Sequence, residues 1–228
     1  MPTSASKSQR ISTQLKVAYS AFVAVLVPTY YNAYGGVAQF FYFCDLALFT
    51  TWLGLLSESD LVLSLATLGT LIPQLLWQID FFSLLLFNKA LVTEMSLYMF
   101  DPMIPLFIRS LSLFHVWLPF LILKLLIVDK SFKYDPRAFI IASLLGVVVM
   151  LICYFLLPPP GSVERNWAQN VNYAYGLNGM RQIWFHPLVW LGITMLVLAL
   201  LMFFPVHLIL KNSRFCVRWD KHNLNKIA

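Results

Sequence analysis

Six long apolar segments, separated by short polar stretches, make up most of this chain. They cover approximately residues 15–33, 37–56, 61–87, 105–128, 138–157 and 188–210. A helix that crosses the hydrocarbon core of a bilayer needs about 20 mostly apolar residues, and these segments approach or exceed that length. The sequence therefore predicts an all-α polytopic membrane helix bundle with about six transmembrane helices.

The composition excludes a water-soluble globular protein. Of 228 residues, 60% are hydrophobic and only 11% are charged, whereas about a quarter of the residues in a soluble domain are charged. So few charges do not cover a surface that faces water. Lipid is therefore the expected solvent for most of the chain.

Pro28 and Pro73 lie inside the first and third predicted helices. Proline lacks a backbone N–H and its ring clashes with the preceding turn. We expect Pro28 to end the first helix early, which leaves Tyr30 and Tyr31 at the membrane interface. The long third helix is expected either to tilt or to kink at Pro73.

The basic residues are distributed unevenly between the connecting segments. With the N-terminus in the cytoplasm, twelve Lys and Arg residues fall on the inner side and three in the outer loops. The positive-inside rule therefore predicts that both termini are cytoplasmic. The inner residues are Lys7, Arg10, Lys16, Lys124, Lys130, Lys133, Arg137, Lys211, Arg214, Arg218, Lys221 and Lys226. The outer residues are Lys89, Arg165 and Arg181.

This topology divides the chain into three parts. Residues 1–14 are predicted to form a cytoplasmic N-terminal segment, residues 15–210 a single transmembrane helical domain, and residues 211–228 a basic cytoplasmic tail. The net charge of the chain is +6, and a net positive charge is also found in nucleic-acid-binding proteins. Because these basic residues flank apolar runs rather than line a groove, we expect no nucleic-acid partner.

Four ionisable residues lie inside the apolar segments: Asp45, Asp80, Arg109 and His115. At about 1.5 Å of rise per residue, all four lie within roughly 15 Å of the outer ends of their helices. Ionisable groups at membrane depth are costly and are usually paired or functional. Their common depth predicts a polar cluster in the outer half of the bilayer.

This cluster has two interpretations. In one, Asp45 or Asp80 neutralises Arg109 and locks the helices together, because an unpaired buried charge is very costly. In the other, a cavity opens to the outer face, with His115 as general base, an aspartate orienting it, Arg109 stabilising charge, and Ser112 binding a ligand. A metal site made of His115, Asp45 and Asp80 is a third alternative, although the sequence lacks the ligand spacing typical of metal sites.

The outer loops are longer than the inner ones, and the second is rich in amides and aromatic residues. Asn170, Asn172 and Tyr173 lie within it, and His186 ends it just before the last helix. Loops on a rigid scaffold often carry function, so these four residues are candidate ligand-binding residues. The loop acts either as a lid over the outer cavity or as an interfacial aromatic belt with asparagine turns.

Three strings combine these polar positions with their neighbours: Phe43-Cys44-Asp45-Leu46-Ala47-Leu48, Arg109-Ser110-Leu111-Ser112-Leu113-Phe114-His115 and Asn170-Val171-Asn172-Tyr173. Together they resemble a group of small bacterial multi-pass proteins labelled as membrane-associated proteins. The resemblance extends over most of the chain. It implies a multi-pass protein of the bacterial inner membrane and marks these residues, without adding an activity.

The chain also bears a more distant resemblance to six-helix membrane hydrolases of the androgen-induced family, in which His115 would match the family's histidine. That likeness implies hydrolysis of lipid esters by an intramembrane threonine and histidine. The threonines of the second segment, Thr50 and Thr51, lie more than one turn deeper than Asp45.

Two classes of function follow. The first is a structural or binding subunit, or a binder of lipid or another small ligand, with membrane lipids, a protein partner or a second copy of the chain as partners. The alternative is a membrane-embedded hydrolase or transferase that acts on a lipid-like substrate with His115 as general base. Neither a cofactor nor a particular substrate is indicated by the sequence.

Overall fold

The computed structural model describes residues 10–164, 167–177 and 179–217. Over these residues the fold is all-α, with one isolated β-bridge between Tyr134 and Cys216. Parts of the predicted N-terminal segment and basic tail lie outside the described residues. So do five residues of the charge comparison: Lys7, Arg165, Arg218, Lys221 and Lys226.

Six helices correspond to the six predicted segments. They are α1 Thr13–Ala33, α2 Phe43–Ser57, α3 Asp60–Phe87, α4 Leu106–Val128, α5 Arg137–Phe155 and α6 Pro187–Lys211. Helix α4 is interrupted by a turn at Ser112–Leu113, and both α4 and α6 contain a π-helical stretch. Three short 3₁₀ helices lie in the loops, at Val37–Phe41, Leu97–Phe100 and Val171–Tyr173.

Four of these helices, α3 to α6, are long and apolar enough to cross a membrane. Helix α2 is apolar but has only 15 residues, about 22 Å at 1.5 Å per residue. Helix α1 has 21 residues but is not among the four. The predicted all-helical fold is therefore confirmed, and four of its helices have the length and composition that a membrane span needs.

The prediction that Pro28 ends the first helix is wrong. Helix α1 continues through Pro28 to Ala33, and α3 likewise passes through Pro73. The last turn of α1 is held by tertiary contacts, because Tyr30 is buried and its hydroxyl lies 2.5 Å from Ser112 Oγ. Packing here outweighs the lost backbone hydrogen bond. Tyr31, in contrast, is exposed.

The second predicted segment, residues 37–56, is not one helix. The backbone is extended at Tyr42, so the 3₁₀ helix Val37–Phe41 and helix α2 are separate. Asn172 causes the break, because its Oδ1 accepts from Phe43 N at 3.0 Å and its Nδ2 donates to Phe41 O at 2.8 Å. Asp45 therefore lies in the first turn of α2 rather than well inside a longer helix.

The helices pack as antiparallel neighbours, so the connections gather at two ends of the bundle. The basic end comprises residues 10–16, 57–60, 124–137 and 211–217, and the loop end comprises residues 34–42, 88–105 and the described part of 156–186. Helices α2 and α3 form the tightest pair, since a Cβ on Gly54 would lie 2.7 Å from a Leu63 methyl carbon. The polar residues considered next lie toward the loop end.

Candidate functional site

Asp45 is a buried carboxylate with one unused oxygen. Its side chain is almost fully enclosed, at 1% exposed. Oδ2 accepts a hydrogen bond from Gln39 Nε2 at 3.1 Å, whereas Oδ1 has no partner among the described residues. No basic residue in this part of the chain forms an ion pair with it. Its position in the first turn of α2 places it at the positive end of the helix dipole.

Three tyrosines and a serine surround this carboxylate. The hydroxyls of Tyr30 and Ser112 share a hydrogen bond of 2.5 Å, and the Tyr98 hydroxyl also interacts with Ser112. The hydroxyl of Tyr34 is buried without a partner in the described structure. All three tyrosines lie within electrostatic range of Asp45. The Asp45 cluster is defined here as Tyr30, Tyr34, Gln39, Asp45, Tyr98 and Ser112.

Asp80 is fully buried, and both of its carboxylate oxygens accept hydrogen bonds from backbone N–H groups. Its Oδ1 accepts from the N–H groups of Leu91 and Val92 at 3.0 and 2.6 Å. Its Oδ2 accepts from Thr93 and Met95 at 3.0 and 3.2 Å. Four amide dipoles converging on a carboxylate stabilise its charge without a cation. Asp80 therefore anchors the loop between α3 and α4.

The ion pair expected between Arg109 and Asp45 or Asp80 is not formed among the described residues. Arg109 is half-buried, its Nη1 donates to Met99 O at 2.8 Å, and its Nε has no partner there. Both oxygens of Asp80 are already taken by backbone amides. Instead of pairing with each other, Asp80 and Arg109 each bond to backbone atoms of the loop between α3 and α4.

His115 is buried between aromatic rings. It stacks on Trp77 at 4.4 Å and on Phe114 at 4.1 Å between ring centroids. Its Nδ1 lies 2.7 Å from Ser112 O, an acceptor, so the geometry assigns the proton to Nδ1 and the lone pair to Nε2. A backbone carbonyl therefore orients the ring, and neither aspartate hydrogen-bonds to it.

One face of α3 carries polar atoms that sequence reasoning did not include in the site. Thr70, Gln74 and Trp77 are buried, and Thr70 Oγ1, both amide atoms of Gln74 and Trp77 Nε1 have no partner within the described residues. The spacing of four and then three residues places them on one side of the helix. That spacing is visible in the sequence and is the signal that could have identified them. Tyr34, Gln39 and Tyr98 carry no comparable signal, because loop folding brings them to Asp45.

Asn170 and Asn172 use their amides within the protein. Asn170 bonds to Gly176 O and Tyr175 N at 2.8 and 2.9 Å, and Asn172 caps α2 as described above. Both have positive φ, 48° and 56°, which asparagine tolerates better than most residues. These two predicted ligand-binding residues therefore shape the loop and hold it against the start of α2.

Tyr173 joins the two long loops. Its hydroxyl lies 3.2 Å from Thr93 Oγ1, and its carbonyl accepts from Trp190 Nε1 at 2.9 Å. Burial raises the pKa of Tyr173 to about 12, so the phenol stays protonated at physiological pH. His186, the last predicted residue, is exposed and caps the start of α6 by accepting from Leu188 N at 3.4 Å. It is not bonded to the Asp45 cluster.

The described residues contain no group of three or more His, Cys, Asp or Glu side chains that could hold a metal ion. The site therefore consists of hydrogen-bonding groups: one carboxylate, several hydroxyls and an amide. No protein family matches this chain, and neither does any curated protein or solved structure. Its function follows from the chemistry of these groups.

Proposed function

We propose that the chain is an integral membrane protein that binds a small lipid-like ligand through the Asp45 cluster. In this proposal all six helices cross or enter the bilayer, and both termini and the basic end are cytoplasmic. The cluster then faces the outer leaflet. The four apolar helices and the excess of Lys and Arg at the basic end support this orientation. A bacterial inner membrane is the proposed location.

One observation carries the proposal: Asp45 Oδ1 and the Tyr34 hydroxyl are both buried and both lack a partner in the described structure. Leaving such atoms unbonded costs about 1–3 kcal/mol each, and more for a charged group. A hydroxyl group on a ligand offers what the two atoms lack, a donor for the carboxyl oxygen and an acceptor for the phenol. The proposed ligand is therefore an amphiphile with a hydroxyl head and an apolar body.

The loop end supports this arrangement. Asn172 bonds to the backbone at the start of α2, two residues before Asp45, and Ala168 N donates to Tyr34 O at 3.0 Å. The loop thus touches both elements that carry the unpartnered atoms. This favours a lid over the site rather than a separate aromatic belt.

The test is identification of the lipids that remain bound to the full chain after extraction from native membranes. Native mass spectrometry is expected to show a hydroxyl-bearing lipid on the wild type that is lost from Asp45→Asn and reduced in Tyr34→Phe. Asp101→Asn is the matched control, because Asp101 also lies at the loop end but its side chain accepts a bond from the nearby Met103 N and not from the Asp45 cluster. Equal retention in all four proteins contradicts the proposal.

The second candidate is a hydrolase or transferase with His115 as general base. It is favoured by one observation: Nδ1 is bonded to Ser112 O, so the lone pair of Nε2 is available. Thr50 and Thr51 donate their hydroxyl protons to Leu46 O and Ala47 O of their own helix rather than to His115.

Release of fluorophore from a lipid ester tests this candidate. An enzyme loses activity in His115→Gln while its melting temperature is kept, and Asp101→Asn remains active. Absence of turnover in the wild type, with the bound lipid still present, leaves the binding role alone.

A further inference from the structure

All four acidic residues of the basic end, as defined above, form ion pairs with basic residues. The ion pairs are Lys16–Glu58 at 2.7 Å, Arg10–Asp60 at 2.8 Å, Lys124–Asp129 at 2.6 Å and Arg137–Asp135 at 2.7 Å. These four pairs use every Asp and Glu of the basic end as defined above. No other Asp or Glu within residues 10–16, 57–60, 124–137 and 211–217 is available to pair with a further cation.

Four cations at the basic end are outside these pairs, and three of them line one pocket. The pocket has a volume of about 210 Å³ and lies between the α4–α5 loop and the segment after α6. Within the described residues none of the three forms an ion pair. The pocket is lined by the cations Lys130, Lys133 and Arg214 and by the apolar residues Leu126, Phe132 and Phe215.

The two segments that carry these cations are joined by backbone bonds. Tyr134 N donates to Phe215 O at 2.7 Å, and Val217 N donates to Tyr134 O at 2.8 Å. Lys130 has a positive φ of 51°, and the next residue, Ser131, donates its N–H to Leu125 O at 2.8 Å. The loop is thus turned back on the end of α4. The fold therefore holds three like charges together, which is unfavourable without an anion.

We propose that this pocket binds a phosphate group, either on an acidic phospholipid headgroup or on a soluble organic phosphate. The planar guanidinium of Arg214 supplies paired donors for phosphate oxygens, and the two lysines add charge. The apolar walls provide a surface for the carbon atoms that carry the phosphate. This site lies at the other end of the bundle from the Asp45 cluster and does not depend on its ligand.

The test compares the full chain in nanodiscs of phosphatidylcholine alone and of phosphatidylcholine mixed with phosphatidylglycerol. Native mass spectrometry is expected to show phosphatidylglycerol held by the wild type. Each cation removed near a membrane surface weakens anionic-lipid binding by about fivefold. Lys133→Ala with Arg214→Ala is therefore expected to reduce retention by about 25-fold.

Lys211→Ala is the comparison variant, because Lys211 is an exposed cation at the same end that does not line the pocket, so its loss is expected to cost at most the single-cation factor of about fivefold. A second arm titrates glycerol phosphate against the chain in neutral detergent and follows the melting temperature. Stabilisation of the wild type but not of the double variant supports a soluble phosphate ligand, and lipid retention alone supports a headgroup. If the double variant matches Lys211→Ala in both arms, the proposal is overturned.

Discussion

The two ends of the bundle differ in how their acidic side chains are paired. At the basic end each of the four carboxylates, three partly exposed and the buried Asp135, lies 2.6 to 2.8 Å from a Lys or Arg nitrogen. Toward the loop end, Asp45 and Asp80 are buried, and neither has a basic partner among the described residues. The first arrangement is typical of an exposed surface that contributes modestly to stability. The second requires a specific physical reason for each buried charge.

The two buried aspartates differ in how their carboxyl oxygens are hydrogen-bonded. Asp80 accepts four backbone N–H groups and thereby organises a loop. Asp45 accepts one side-chain amide and keeps one oxygen unused. A carboxylate used for structure is expected to have all its acceptor positions filled, whereas one used for binding keeps one free. This difference separates the structural anchor from the candidate ligand site.

The largest expected effect is the loss of Asp80. In Asp80→Asn, one oxygen becomes an NH₂ group that faces two backbone donors, so at least two buried N–H groups lose their acceptor. The free energy of unfolding is expected to fall by about 3 kcal/mol or more. Unfolding of the purified chain in detergent measures this change. Hydrogen exchange at residues 91–95 should also speed up, while Asp101→Asn leaves both measurements unchanged.

The opposite result is expected for Asp45→Asn in the absence of ligand. The asparagine carbonyl keeps the bond from Gln39, and replacing Oδ1 breaks no hydrogen bond, since Oδ1 has no partner among the described residues. Stability is therefore expected to stay constant or rise by about 1 kcal/mol. The same unfolding measurement checks it. A loss as large as that of Asp80→Asn would show that Asp45 is also a structural anchor, and the comparison would fail.

Much of the fold could be predicted from the sequence, because apolar length reports directly on helices in lipid. All six segments recur as helices, and their ends agree closely with prediction outside residues 37–42. The errors came from tertiary contacts that no local pattern contains. Pro28 is tolerated because Tyr30 packs against Ser112, and α2 starts late because Asn172 binds its first residues.

The polar residues of the site were easier to find than their partners. Asp45, Asp80, Arg109 and His115 stand out because charge is rare in apolar segments. Their hydrogen-bond partners are not evident from the sequence, since both Asp80 and Arg109 bond to backbone atoms of the loop before α4. Backbone donors and acceptors are present at every residue and leave no mark in the sequence. An ion pair was therefore the natural expectation, and backbone anchoring could not be predicted.

A smaller effect is expected at Asn172, which links the loop between α5 and α6 to the start of α2. Asn172→Ala removes the bonds to Phe43 N and Phe41 O and places alanine at a φ of 56°. Asn172→Gly removes the same bonds without the backbone strain, which is worth about 1 kcal/mol. We expect both variants to be less stable than wild type, by about 2 kcal/mol for alanine and about 1 kcal/mol for glycine. Thermal unfolding distinguishes them, and equal losses would assign the whole effect to the side-chain bonds.

The smallest expected effect lies at the basic end, where Glu58 joins the start of α1 to the α2–α3 turn. The hydrogen bond from Lys16, followed by the one from the Arg10 backbone N–H, lowers the pKa of Glu58 below its usual value of 4.5. A carboxyl whose pKa is lower in the folded state stabilises that state above its unfolded pKa. This contribution is lost as the pH falls through the folded value.

Glu58→Gln is therefore expected to lower stability by at most about 1 kcal/mol near neutral pH. The difference from wild type should disappear as the pH falls well below 4.5. Melting temperatures of both proteins across this range measure it. The matched control is Glu94→Gln, since Glu94 is an exposed glutamate with similar positive φ at the loop end. A pH dependence that persists unchanged in Glu58→Gln would place the acid-sensitive contact elsewhere and weaken the contrast between the paired basic end and the unpaired loop end.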